Sequence, residues 1–275
     1  MAEPPPAPGE VLRALRQRVA ALEAHRPLGT GPLGTAEAAL PLGAPALDRS
    51  LGGGLALGAL HEVAPATALH LGAAAGFVLA LAARAMRAGG GEVLWIQPDL
   101  AGREAGRLYG PGLDLAGLPL ARVIDLRVPH ERDAAWAMEE ALPCRALAAV
   151  VGEFFDDRAL DLTTLRRLSL AAARHGRAGG LGLMLRHHAG AAASPAVTRF
   201  EIAAAPGPRD PFGGLGRPTV HVSLVRNRRG PTGCWLLSWN HHEHVFLAAP
   251  SLALAPTALD RPHRASPPAP LGRTG

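Results

Sequence analysis

The chain has no lysine; all 28 of its basic residues are arginine. That excludes a Schiff-base lysine, a lysine general base and the phosphate-loop lysine that holds the terminal phosphates of a nucleotide. Cysteine is nearly absent too. Cys144 and Cys234 are too few for a disulfide framework or a Cys-based zinc site, so a reduced, cytoplasmic setting is expected. Charged residues make up only 19% against 48% hydrophobic, in a chain of 275 residues. This is ample for one large core and excludes wholesale disorder. Met1-Ala-Glu-Pro-Pro-Pro carries an early acid and no apolar run, so no signal peptide is expected. Residues 63–83 are uncharged and long enough to cross a bilayer. Pro65, Thr67, His70, Gly72 and Gly76 interrupt them, so a strand end, a loop and a core helix are expected instead, with no membrane contact.

What is abundant is alanine, glycine and proline, with 33 Gly and 26 Pro. Together with arginine in place of lysine, this is the mark of a GC-rich coding sequence. The formal charge of +5 is unevenly spread. Residues 1–201 hold 20 Arg against 20 carboxylates; residues 202–275 hold eight against three. A basic last quarter suits nucleic acid or an acidic protein surface, and arginine suits phosphate because its planar fork donates in pairs.

Three regions are expected. Residues 1–37 contain an amphipathic helix over 10–24, with Leu12, Leu15, Val19 and Leu22 at helical spacing, and then a Gly/Pro linker. A helix of this length is marginal alone and should dock on its own core or on a partner. Residues 38–249 alternate apolar strands and helices, which predicts a mostly parallel sheet covered on both faces. Strands are expected at 60–64, 92–97, 122–128, 146–151 and 181–185. Helices are expected at 47–51, 76–87, 103–109, 130–142 and 160–175. Beyond residue 196, successive strands at 197–203, 219–226, 235–239 and 244–247 predict an antiparallel extension. Residues 250–275 read as a disordered, Pro-rich basic tail.

The segment Leu40-Pro-Leu-Gly-Ala-Pro-Ala-Leu-Asp-Arg-Ser-Leu-Gly-Gly-Gly-Leu, followed by Leu60-His-Glu-Val, resembles the entrance of the RecA-like ATPase core. Val225-Arg-Asn-Arg-Arg-Gly-Pro-Thr-Gly resembles the hairpin near the end of that core. The phosphate loop is missing. With Gly72 at the second glycine position, Ala73 and Ala74 stand where Lys and Ser/Thr belong, ahead of Gly76. On the strand resembling Walker B, Gly152 follows the apolar run where Asp is expected, and Glu153 comes one residue late. ATP hydrolysis is therefore not expected, nor is a cofactor. The helix N-terminus is the residual phosphate-binding element.

A RecA-like core of this kind, with an N-terminal helix and a basic Trp-containing hairpin, resembles the ImuA family. The resemblance implies a non-catalytic accessory protein of SOS-induced, error-prone translesion DNA synthesis. It implies a Y-family-like partner, ImuB, and an error-prone C-family DNA polymerase, with RecA and DNA as further candidates. Two other readings stand beside it: an ATP-dependent recombinase paralogue with an unorthodox nucleotide site, and a damage-induced inhibitor of cell division.

Candidate contact residues are Arg226, Arg228 and Arg229 at a hairpin turn, for DNA phosphate or an acidic partner. A solvated turn guarding an edge strand is the competing reading. Trp235 and Trp239, four apart, share a strand face and could stack bases or pack in the core. Leu12, Leu15, Val19 and Leu22 are candidates for partner capture. No metal is expected: His241-His-Glu-His244 lacks a third ligand at a recognisable spacing. Glu139-Glu140 and Asp156-Asp157 read as solvated acids rather than an acid–base pair.

Overall fold

The computed structural model describes residues 38–156, 160–174, 179–188, 193–208, 214 and 216–249. The expected helix over 10–24 and the expected tail over 250–275 lie outside these residues.

Among the described residues eleven strands and six α-helices are formed, in the order β1 (Ala39–Leu40), α1 (Pro45–Ser50), β2 (Leu55–Ala56), β3 (Leu60–Pro65), α2 (Leu71–Gly89), β4 (Glu92–Pro98), α3 (Asp99–Glu104), α4 (Gly110–Ala116), β5 (Val123–Val128), α5 (Glu131–Ala141), β6 (Leu147–Phe154), α6 (Leu162–Ala173), β7 (Leu181–Arg186), β8 (Thr198–Ala205), β9 (Thr219–Asn227), β10 (Gly233–Asn240) and β11 (Val245–Ala248). Nine strands make one sheet in the order β11-β10-β9-β8-β3-β7-β6-β4-β5. From β8 to β5 all pairings are parallel; from β8 to β11 they are antiparallel. This is the expected α/β core with its antiparallel C-terminal extension.

The two faces have separate cores. Alternate residues of a strand point to opposite faces. On β6, Ala149 and Val151 join α2 and α4 in one cluster, while Val150 and Phe154 join α5 and α6 in the other. β6 is buried along its whole length, as a strand covered on both faces must be. Helix α2 is apolar and long enough to span a bilayer. Phe77, Val78, Leu81 and other residues along it are nevertheless buried against the sheet, so its apolar character is used in the core.

The Leu-Gly-Gly-Gly-Leu motif has a backbone reason. Gly52, Gly53 and Gly54 all take positive φ, at 72°, 107° and 141°. A Cβ on Gly54 would stand 2.3 Å from the Leu40 carbonyl oxygen. Only glycine lets the chain leave α1 and enter the β1–β2 ribbon there.

Most elements end within two residues of the sequence reading, the short strands β1 and β2 were not expected, and three larger differences bear on the site. Helix α2 begins at Leu71, five residues before the expected start, because Gly72 and Gly76 are accommodated within the helix rather than breaking it. Strand β6 runs on through Phe154, so Gly152 and Glu153 lie inside it. The helix expected at 103–109 is replaced by α3, ending at Glu104, and α4, starting at Gly110. Pro111 sits in the first turn of α4, where proline's missing N–H costs nothing.

Candidate functional site

In an open parallel sheet, ligands bind beyond the carboxyl ends of the strands. Here that edge carries the turn from β3 into α2, the ends of β4 and β6, and His187 just past β7. This is where the residues read as a degenerate phosphate loop, Gly72, Ala73, Ala74 and Gly76, sit. After Pro65, a short 3-10 turn over Ala68–His70 leads directly into α2. Gly72 and Ala73 stand in the first turn of the helix, and Ala74 is fully buried. His70 Nδ1 accepts from the Ala204 amide at 3.2 Å, tying the turn to β8. A methyl group at 73 supplies no charge for a phosphate, and one at 74 no hydroxyl for magnesium.

The pleat reassigns the acid. Gly152 faces α5 and α6: a Cβ there would stand 2.9 Å from Met138 Sδ. Glu153 belongs to the other face, that of α2. It lines a cavity of about 210 Å³ with Leu71, Gly72, Gln97, Arg107 and His187. So Glu153, not Gly152, occupies the position nearest the phosphate-loop turn.

Its carboxylate is already engaged. Trp95 Nε1 donates to Oε1 at 2.5 Å, and Gln97 Nε2 donates to the same oxygen at 3.1 Å. His187 Nε2 donates to Oε2 at 3.1 Å. Trp95, Gln97, Glu153 and His187 are all at most 4% exposed. Sequence reasoning missed this cluster. Its signal was present: Trp95 and Gln97 share a face of β4, and an acid interrupts an otherwise apolar strand beside them.

Two further buried polar sites went unread. Glu62 is fully buried on β3; Arg199 Nε donates to its Oε2 at 2.5 Å, and Arg186 Nη1 lies 3.6 Å from its Oε1. On the other face of β3, His61 is also fully buried. Its Nε2–H donates to the Ala56 carbonyl at 2.8 Å, and Thr198 Oγ1 donates to Nδ1 at 2.7 Å. Burial pushes its pKa down to about 4, so the ring is neutral.

The basic hairpin is more committed than its sequence suggests. Arg226 Nη1 and Arg228 Nη2 both donate to the Ser194 carbonyl, at 2.5 and 3.1 Å. A bulge at Val225 turns Arg226 to the opposite face from Leu224, where it pairs with Arg199 across β8–β9. Arg229 is half-buried beside Gly52; only Arg228 of the three is exposed. Trp235 and Trp239 share the face that packs on the α2 core. Trp239 is 6% exposed, packs on Phe246 with ring centres 4.9 Å apart, and donates to the Ala116 carbonyl at 3.2 Å.

Glu139 and His244 are tied into the fold. Glu139 pairs with Arg167 at 2.6 Å, joining α5 to α6. His244 Nε2 donates to the Gly117 carbonyl at 3.2 Å. Among the described residues no group of three or more His, Cys, Asp or Glu side chains is placed to hold a metal ion. Leu12, Leu15, Val19 and Leu22 lie outside the described residues.

No family model matches the chain. It is 37% identical over 231 residues to "Protein ImuA" of Caulobacter vibrioides strain NA1000 / CB15N, covering 78% of this chain and 90% of that protein. "Protein ImuA" of Caulobacter vibrioides strain ATCC 19089 / CIP 103742 / CB 15 matches to the same extent. Identity at this level, sustained over more than two-thirds of both chains, places this protein in the ImuA family.

Proposed function

We propose that this chain is a non-catalytic accessory protein of SOS-induced, error-prone translesion synthesis. It acts in the cytoplasm as a scaffold for an ImuB-like Y-family polymerase homologue. An error-prone C-family polymerase belongs to the same assembly, and RecA and DNA are further contacts. Family membership supports a role in damage-induced mutagenesis. The polymerase partners rest on that membership alone.

The observation that carries the non-catalytic part is the state of Glu153. The acid closest to the phosphate-loop turn spends its oxygens on Trp95, Gln97 and His187. Lysine and a metal-binding hydroxyl are replaced by Ala73 and Ala74. A phosphoryl-transfer site works by positioning and by charge, and here the Lys and hydroxyl positions hold alanines and the carboxylate is held by hydrogen bonds within the protein.

Two measurements test the reading. The purified protein should show background ATP turnover with and without single-stranded DNA. A pull-down from DNA-damaged cells, read by mass spectrometry, should recover the polymerase homologue. ATP turnover that Glu153→Gln abolishes would overturn the non-catalytic part, and a pull-down without any polymerase would overturn the scaffold part.

A further inference from the structure

The large sheet ends differently at its two margins. At β11 the Phe246 amide donates outward to the Leu42 carbonyl at 2.8 Å, so part of that edge is covered by the chain entering the fold. At the other margin, among the described residues, β5 pairs with β4 alone. The outer side of such a strand presents N–H and C=O groups that template another strand. We propose that β5 is a self-association edge. Two copies of this chain pair antiparallel through Val123–Val128, about a two-fold axis at Leu126.

The order of residues in β5, Val-Ile-Asp-Leu-Arg-Val, is complementary to its own reversal. In a two-fold contact, residue i of one copy meets j of the other, and j meets i. Centring on Leu126 sets Asp125 opposite the partner's Arg127 and Arg127 opposite the partner's Asp125. It also sets Ile124 opposite the partner's Val128, apolar against apolar. Asp125 and Arg127 share one face of the sheet and are exposed, while Leu126 and Val128 pack with α5 on the other. Moving the centre to Asp125 would set acid against acid, and moving it to Arg127 would set arginine against arginine. Like charges directly opposite are destabilising, so charge selects the register.

Within one copy, Asp125 and Arg127 already meet at 2.9 Å. Residues two apart on a strand are separated by about 7 Å along the backbone, whereas residues directly opposite are about 4.5–5.5 Å apart. Each carboxylate therefore keeps its own guanidinium and gains a second one from across the axis. A charged edge ordinarily repels a second strand; here the two signs stand symmetrically about Leu126, so only shifted registers are repelled. The strand is also presented ready-formed, which lowers the ordering cost of association. Just before it, Arg122 Nε donates to Glu92 Oε2 at 3.0 Å and Arg122 Nη2 to the Gly91 carbonyl at 2.6 Å. A ladder of six-residue strands is small beside a standard interface of about 1,600 Å², so the dimer is a weak, concentration-dependent one.

Sedimentation equilibrium of the purified full-length protein, over an about hundredfold concentration range, tests the proposal. The wild type should show a reversible monomer–dimer equilibrium. Arg127→Asp sets acid opposite acid, and Asp125→Arg sets arginine opposite arginine. Each should raise the dimer Kd by about tenfold, because two opposed pairs change sign per dimer. Asp125→Arg combined with Arg127→Asp in one chain should restore the wild-type Kd, and an equal mixture of the two single variants should form a heterodimer. The substituted side chains are exposed, and the restoring combination separates lost pairing from lost folding. A wild type that stays monomeric throughout would overturn the proposal in favour of an edge closed within the chain. A dimer that both single variants leave intact, or a loss that the double exchange fails to restore, would overturn it too. The readout involves no polymerase, so its failure leaves the proposed function standing.

Discussion

The indole of Trp95 and the carboxylate of Glu153 meet at 2.5 Å, on adjacent strands β4 and β6, with both side chains buried. An indole N–H can only donate, so this bond holds a carboxylate oxygen that metal binding would need. Gln97 adds a second donor to the same oxygen.

It follows that replacing the missing phosphate-loop side chains is not enough. Ala73→Lys with Ala74→Thr should leave ATP turnover at the wild-type background in a phosphate-release assay. The threonine also has to enter a fully buried position, so the variant should melt lower. Turnover clearly above background would show that Glu153 is released when a nucleotide arrives.

The ion cluster on the other face makes a stability prediction. Glu62 is the carboxylate between Arg186 and Arg199, and all three are buried. Removing one partner of a buried ion group costs about 3–5 kcal/mol. Glu62→Ala should lower the urea unfolding free energy by about that much, and Glu62→Gln, which keeps an acceptor oxygen, by less. A loss below about 1 kcal/mol for the alanine variant, the range of an exposed pair, would mean that the arginines are balanced elsewhere.

How far the chain could be read in advance depended on what each feature needed. The parallel strands were legible because a strand buried on both faces must be an unbroken apolar run, as Val93-Leu94-Trp95-Ile96 is. The glycines were harder. Gly72 and Gly76 look like breakers, but packing on the sheet outweighs a propensity cost of roughly 1 kcal/mol each. The candidate site turned on parity. With β6 ended at Val151, Gly152 inherits the acid's position; continued to Phe154, the pleat gives it to Glu153. The hairpin arginines were visible as charge, but the Ser194 carbonyl that holds two of them lies more than thirty residues away, and no local pattern announces such a contact.

Acid sensitivity should follow from His61. Its folded pKa is depressed from 6.5 to about 4 by burial. Between those values the unfolded chain binds a proton that the folded chain refuses, so this group's stability contribution is complete above about pH 6.5 and is lost as pH falls toward 4. At 1.36 kcal/mol per unit, the drop from pH 7 to pH 5 is about 2 kcal/mol. Urea unfolding of wild type and His61→Gln at both pH values isolates it: the wild type should lose about 2 kcal/mol more than the variant. Equal losses would mean that the imidazole can be protonated in place.

The hairpin gives the last prediction, and the geometry divides its three arginines. A guanidinium has five donors, so the exposed Arg228 can hold the Ser194 carbonyl and still offer N–H groups outward. Arg226 and Arg229 are half-buried, one turned toward Arg199 and the other toward Gly52. If the hairpin meets DNA, Arg228 makes the phosphate contact. Each neutralised phosphate contributes roughly 0.9 to the slope of log affinity against log salt on duplex DNA, and about 0.7 on a single strand. Arg228→Ala should therefore reduce that slope by nearly one unit in an anisotropy titration. Replacing Arg226, Arg228 and Arg229 together should reduce it little further. A slope unchanged by the triple variant would take the hairpin out of DNA binding and leave its charge for an acidic protein surface. A drop of two or more units would mean that the arginines held by Ser194 swing outward when the strand arrives.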